Sequence, residues 1–281
     1  GTYSKPNFTS TDGGTATLYA VWKQNTYSIS YTLNGGSYGT NHPTSATFEV
    51  TFTVNNPTRV GYTFAGWNIT NLDSVDHYYG SYTSTATSLS GIKETTFKNL
   101  RSTSGTVNFA ATWSANVYTI NYNLNGGSYG TNHPTSAAYD QTITINNPTR
   151  IGYDFTGWDI TGMDTVTHTI GSSTTTATSV SKTFATSFKN LHSTSGTVTF
   201  TANWVGRVYS ITYVLNGGTH GTNHPTTATF GTEFSVSNPS RIGYTFAGWT
   251  ISGMSTNCDH IIGGATVTGA TTEGVFATTF N

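Results

Sequence analysis

The sequence predicts a mainly β protein assembled as an extended array of small tandem domains, and three observations carry that prediction. One pattern returns at a strict spacing of 91 residues. Apolar and polar residues alternate with period two inside each unit. No segment shows a persuasive 3.6-residue period.

The repeat is read first from the segment Tyr27 to Gly36, Tyr-Ser-Ile-Ser-Tyr-Thr-Leu-Asn-Gly-Gly, which returns at Tyr118 and again at Tyr209. Asn56-Pro57-Thr58-Arg59-Val60-Gly61-Tyr62 returns from Asn147 and from Asn238. Trp67, Trp158 and Trp249 keep the same step, as do Trp22, Trp113 and Trp204, so all 6 tryptophans fall on two repeat positions. The boundaries that follow are 1–24 for the closing strand of a preceding repeat, 25–115 for repeat one, 116–206 for repeat two and 207–281 for repeat three.

Each element of repeat one has its own signal. Tyr27, Ile29, Tyr31 and Leu33 alternate with Ser28, Ser30 and Thr32, which predicts a first strand. Asn34-Gly35-Gly36 tolerates positive φ and predicts a turn at its end. Phe48, Val50, Phe52 and Val54 alternate with Glu49, Thr51 and Thr53, which predicts a second strand. Pro57 marks the turn into a third, from about Tyr62 to Thr70, with Gly66 as a bulge. The Ser/Thr/Gly-rich stretch from Asn71 to Ser90 predicts an extra hairpin or ordered loop, and Gly91 to Asn99 has room for a short helical turn. A last strand alternates Val107, Phe109, Ala111 and Trp113 against Asn108, Ala110 and Thr112. Four residues separate Trp113 from Tyr118, too few for a free hinge, so a stiff array in which each domain touches only its neighbours is expected.

Composition supports a folded chain and excludes some partners. Only 8% of the 281 residues are charged, yet 17 Tyr, 15 Phe and 6 Trp supply apolar area for several small cores. The abundant Ser and Thr suit the solvent faces of strands. With a net charge of −1 and 11 dispersed Lys and Arg, no basic run offers phosphate contacts, so no nucleic-acid partner is expected. No stretch approaches the roughly 20 apolar residues of a membrane span. The one cysteine, Cys258, has no internal disulfide partner.

The two termini are out of phase with the repeat. Gly14 to Trp22 matches the closing strand Gly105 to Trp113, while repeat three stops at Asn281 before a closing strand of its own. One expectation is a window on a longer array. The other is head-to-tail strand exchange, in which Thr15, Ala16, Thr17, Leu18, Tyr19, Ala20, Val21 and Trp22 of one chain complete repeat three of the next.

Taken together, Tyr27, Leu33, Gly35, Gly36, Pro57, Arg59, Gly61, Tyr62, Phe64, Gly66, Trp67 and Trp113, with their counterparts, make a pattern that resembles the Listeria–Bacteroides repeat, the B-repeat type found in internalins. Repeat three carries Ser240 in place of the motif's Thr. The resemblance implies β-grasp-like domains in a bacterial surface protein, extracellular, usually in tandem and without enzymatic activity. This repeat is longer than the family's usual one, and the Ser/Thr-rich stretch is the excess.

Candidate chemistry is sparse. No carboxylate recurs in all three repeats: Asp73 and Asp164 correspond but repeat three has Ser255, and Glu49 and Asp140 correspond but repeat three has Gly231. No nucleophile sits in a recognisable elbow, so neither a catalytic residue nor a cofactor is expected. Two histidines recur per unit, and His42, His77, His133 and His168 are weak metal-ligand candidates if their loops meet. Tyr38, Tyr78, Tyr79, Tyr82 and Tyr129 lie outside the core-forming pattern and are candidates for contact with a host or matrix glycan or protein. Arg59, Arg150 and Arg241 suit capping of backbone carbonyls or stacking on an aromatic ring. Lys98 and Lys189 recur without a shared acid, which disfavours an intramolecular cross-link. The leading functional expectation is a stalk segment of a surface adhesin or filament, with a glycan- or protein-binding module as the alternative and a strand-exchanging fibre subunit as a further one. The expected partners are neighbouring repeats or copies of the same chain.

Overall fold

A computed structural model describes residues 12–281. They fall into two compact units, one ending at Ser114 and the other running from Ala115, the second holding repeats two and three.

Repeat one consists of nine strands: β1 (Thr26–Thr32), β2 (Ser45–Thr47), β3 (Phe52–Thr53), β4 (Tyr62–Thr70), β5 (His77–Tyr79), β6 (Tyr82–Ser84), β7 (Ser88–Ile92), β8 (Thr96–Lys98) and β9 (Thr106–Ala115). Five of them form a mixed sheet in the order β2-β1-β9-β4-β7, and the other four form a second sheet in the order β3-β8-β5-β6. The centre of the first sheet is a parallel pair. β1 runs alongside β9 with Ser28 opposite Thr106 and Thr32 opposite Ala110. Parallel neighbours need a long crossover, and here everything from β2 to β8 provides it.

The alternating pattern decides what is buried. Tyr27 and Ile29 of β1, Trp67 and Ile69 of β4, and Val107, Phe109 and Ala111 of β9 all turn inward. The second sheet covers them through Phe97 on β8, whose ring meets Phe109 edge-on at 5.2 Å. Repeat two repeats this plan, with Val117–Asn123 parallel to Thr197–Gly206 and the same two sheets.

Several local expectations hold. Asn34 and Gly35 take φ of 50° and 85° in the turn after β1. Gly66 adopts φ of 131°, and a Cβ there would lie 2.4 Å from the Gly91 carbonyl carbon. The stretch 71–90 forms the β5–β6 hairpin.

Two expectations are corrected. The strand expected over Phe48 to Val54 shrinks to the two residues of β3, because a turn at Phe48 and Glu49 separates it from β2. Glu49 has φ of 64°, and its N–H donates to the Asn99 side-chain oxygen at 2.6 Å. Gly91 to Asn99 forms no helical turn: it ends β7 and carries β8, because Phe97 is drawn into the core.

Repeat three keeps the second sheet, in the order Phe234–Ser235, Thr279–Phe280, His260–Ile262 and Ala265–Val267. Its first sheet is two separate pairs, Val208–Ser210 with Thr227–Thr229 and Trp249–Ser252 with Thr271–Val275. No strand among the described residues bridges them.

Candidate functional site

The most regular polar feature is an arginine held beside the turn that ends the first strand. The Arg59 Nη1 donates to the Asn34 carbonyl at 2.9 Å, and its Cζ lies 3.7 Å from the Tyr62 ring centre. The guanidinium also sits against Gly35, where an added Cβ would come within 3.4 Å of it. Arg150 over Tyr153 and Arg241 over Tyr244 repeat the stack at 3.8 Å each. Carbonyl capping and ring stacking, posed as alternatives by the sequence, therefore occur together in repeat one.

The Tyr and His candidates separate into two kinds. Tyr38 is 52% exposed and stacks on His42 at 4.3 Å, with Tyr31 edge-on to both. Nδ1 of His42 faces the Gly39 carbonyl at 3.0 Å. Tyr129 stacks on His133 in the same way, and in repeat three His220 stacks on His224. On the β5–β6 hairpin, Tyr79 and Tyr82 stack at 5.7 Å, and Tyr78 lies 5.5 Å from the Lys98 ammonium. Tyr78 and Tyr82 are both exposed.

His77 and His168 are fully buried. The ring nitrogens of His77 face the carbonyl oxygens of Asn99 and Ala86 at 2.8 and 3.0 Å. Those of His168 face Asn190 and Asp164 carbonyls at 2.6 and 2.8 Å. These rings are thus engaged in tying loops to the core rather than turned outward beside His42 or His133. Among the described residues, no group of three or more His, Cys, Asp or Glu is arranged to hold a metal ion.

The remaining polar residues pin loops. Asp73 accepts from the backbone and hydroxyls of Ser102 and Thr103 and pairs with Arg101 at 3.0 Å. Burial pushes its carboxyl up, but the Thr103 and Ser102 hydrogen bonds and the Arg101 charge outweigh burial and hold it below the usual carboxylate range. Asp164 is lowered in the same way, with Ser193, the Val166 N–H and His192 outweighing its burial. Lys189 pairs with Asp140 at 3.2 Å on the surface, not in the buried setting that a cross-link needs.

Residues 15–22 belong to no strand, and Leu18, Tyr19, Val21 and Trp22 are largely exposed, Trp22 by 90%.

Within the second unit, repeats two and three meet at a junction that the sequence reading missed. Phe230 packs edge-on against Tyr153 at 5.5 Å, and the Arg207 N–H donates to the Gly152 carbonyl at 2.9 Å. Arg207 Nε also donates to Asp154 Oδ1 at 2.7 Å. The signal was present: 91 residues earlier, Thr63 and Asn116 stand where Asp154 and Arg207 do, so the charged pair arose at one junction. An exposed pair of this kind adds roughly 0–1 kcal/mol, so it sets register more than stability.

The Listeria-Bacteroides repeat domain matches residues 27–89, 118–184 and 209–272, more than half of the chain. Two proteins of Evansella cellulosilytica are similar. One bears the name "Putative membrane protein" and is 25% identical over 238 residues, 83% of this chain and 29% of the relative. The other, "Putative Gly-rich membrane protein", is 27% identical over 239 residues, 83% of this chain and 22% of the relative. The chain thus spans less than a third of the length of these relatives. Among the described residues, no helix is long and apolar enough to cross a membrane. No solved structure matches the chain. Three copies of one family domain, at the 91-residue step that also governs the strands, turns and aromatic core, place this chain in the Listeria-Bacteroides repeat family.

Proposed function

We propose that this chain is a non-enzymatic spacer segment, a stalk, in a bacterial cell-surface protein. The observation that carries the reading is where the recurrent chemistry-bearing residues go. Arg59, His77 and Trp67, with their counterparts in repeat two, are occupied by contacts within their own repeat. These copied residues are thereby used for folding each unit. A surface location is supported by the repeat family and by the membrane-protein names of the two longer relatives.

Small-angle scattering combined with thermal unfolding tests this. The spacer reading expects a rod-like particle whose unfolding temperature is unmoved by sugars or divalent metals. Saturable binding of a glycan or matrix protein, abolished by substituting Tyr38, Tyr78 or Tyr129, would overturn it. That outcome is the binding-module reading, which the exposed Tyr38–His42 and Tyr129–His133 stacks favour. The fibre reading draws instead on the exposed apolar residues Leu18 to Trp22 and the split first sheet of repeat three.

A further inference from the structure

The path of the chain through the first sheet has a mechanical consequence. A repeat is entered through β1 and left through β9, and these two strands are parallel hydrogen-bonded neighbours at the sheet centre. Because they run the same way, the entry end of β1 and the exit end of β9 lie at opposite ends of the paired strands. Tension along the chain therefore pulls the two strands past each other. Every ladder bond between them is loaded at once, whereas an antiparallel terminal pair would open one bond at a time.

Side chains add to the ladder at the exit end, where β9 takes the load. The Trp113 indole N–H donates to the Leu33 carbonyl at 2.9 Å, and the Asn34 amide donates to the Ala111 carbonyl at 2.7 Å. Both bonds join the turn after β1 to the far end of β9. The indole also rests on the bare Cα of Gly36, where an added Cβ would lie 2.4 Å from Cζ2 of Trp113. To slide, β9 must break both bonds and drag this ring off the glycine. Repeat two has the same set: Trp204 to Leu124 at 2.9 Å, Asn125 to Ala202 at 2.8 Å, and Gly127 under the ring.

We propose that each closed repeat is a tensile shear clamp, with β1 and β9 as its jaws and Trp113 (Trp204 in repeat two) and Asn34 (Asn125) as latches that resist sliding. Its use in a stalk rests on the spacer reading above. The clamp itself rests only on strand direction and these contacts.

Single-molecule pulling on the full chain, with Cys258→Ser and two introduced cysteines as handles, tests it. Handles at Gln24→Cys and Ser114→Cys load the pair in shear. Handles at Gln24→Cys and Ser104→Cys lie at one edge of the same pair, since Ser28 is opposite Thr106, and peel it. Forced unfolding reports the barrier to unfolding rather than equilibrium stability. At one loading rate the shear pair should unfold at a force several-fold above the peel pair, and equal forces would overturn the clamp. Trp113→Phe, which keeps a ring but loses the indole N–H, should lower the shear force and leave the peel force unchanged. Asn34→Asp, which keeps a side chain suited to the turn but loses the donated bond, should do the same. If both substitutions lower the two forces equally, the latches are overturned. Loss of shear resistance would leave the spacer reading standing, while glycan binding would remove that reading and leave the clamp.

Discussion

Alanine substitutions at Gly66 and Gly91 should differ in cost although the two glycines touch each other across β4 and β7. At Gly66, φ is 131°, outside the region that a residue with a Cβ occupies, and the new methyl would lie 2.4 Å from the Gly91 carbonyl carbon and 2.6 Å from its oxygen. Backbone strain of this kind costs about 1–3 kcal/mol. Forcing a methyl into packed backbone costs about 1–3 kcal/mol more. At Gly91, φ is 68° and nothing lies within 4 Å of an added Cβ, so only the left-handed backbone penalty of about 1–2 kcal/mol applies. Repeat two supports the distinction, since Lys182 occupies the Gly91 position with φ of 51° while Gly157 is retained opposite it. Hydrogen exchange resolved by peptide reads each repeat separately, with repeat two as internal reference. Because about 1.4 kcal/mol is tenfold, Gly91→Ala should speed exchange of β1 and β9 amides by roughly 5- to 30-fold. Gly66→Ala should speed it by a further factor of roughly five or more, through the overpacking cost of about 1–3 kcal/mol. Equal effects from the two substitutions would refute the steric account of the bulge.

Other outcomes follow from the same contacts. The lowered folded-state carboxyls of Asp73 and Asp164 contribute stability that is present above the unfolded value of 3.8 and lost as pH falls through the folded values. Acid unfolding followed by circular dichroism should therefore deepen below about pH 4, and Asp73→Asn should flatten that dependence in repeat one. Burial raises Tyr27 to about 12, against the Leu100 N–H that lowers it, so its contribution is intact below pH 10 and lost between pH 10 and about 12. Tyr27→Phe should reduce that alkaline loss, measured by unfolding midpoints on either side of pH 10. Phe230→Ala should leave the core of repeat two folded but raise exchange around Tyr153, since it removes the ring packed there. If residues 15–22 pair in trans, sedimentation should show concentration-dependent association that deletion of residues 1–24 abolishes; unchanged association would discard strand exchange.

The elements legible in the sequence are those whose signal is local. β1 and β9 declare themselves by alternation, β4 by the turn at Pro57 that precedes it, the turn at Asn34 by its glycines, and the bulge at Gly66 by a lone glycine inside a strand. Misreadings arose where a distant partner decides the backbone. Glu49 breaks the second strand because the Asn99 side chain, 50 residues away, takes its N–H, and Asn99 itself has φ of 62°. The segment after Gly91 carries helix-compatible residues, but Phe97 gains more by reaching Phe109 across the core. The candidate site divides in the same way. Tyr38 and His42 are close in sequence and stack as neighbours. The burial of His77 depends on carbonyls of Asn99 and Ala86 that only the folded loops bring together. The Phe230–Tyr153 junction joins residues in different repeats, and its one trace in the sequence is the pair Asp154 and Arg207 in place of Thr63 and Asn116.

A repeat that is a separately closed unit, held by the pairing of its first and last strands, should open under load as one piece. Pulling the whole chain from its two ends tests this most directly. Two dominant unfolding steps are expected, one each for repeats one and two. Each should release a contour of about 30 nm, as roughly 90 extended residues require at ~3.4 Å apiece, with no third step of comparable force from repeat three. A single cooperative rupture, or a ladder of small steps with no 30-nm unit, would contradict it.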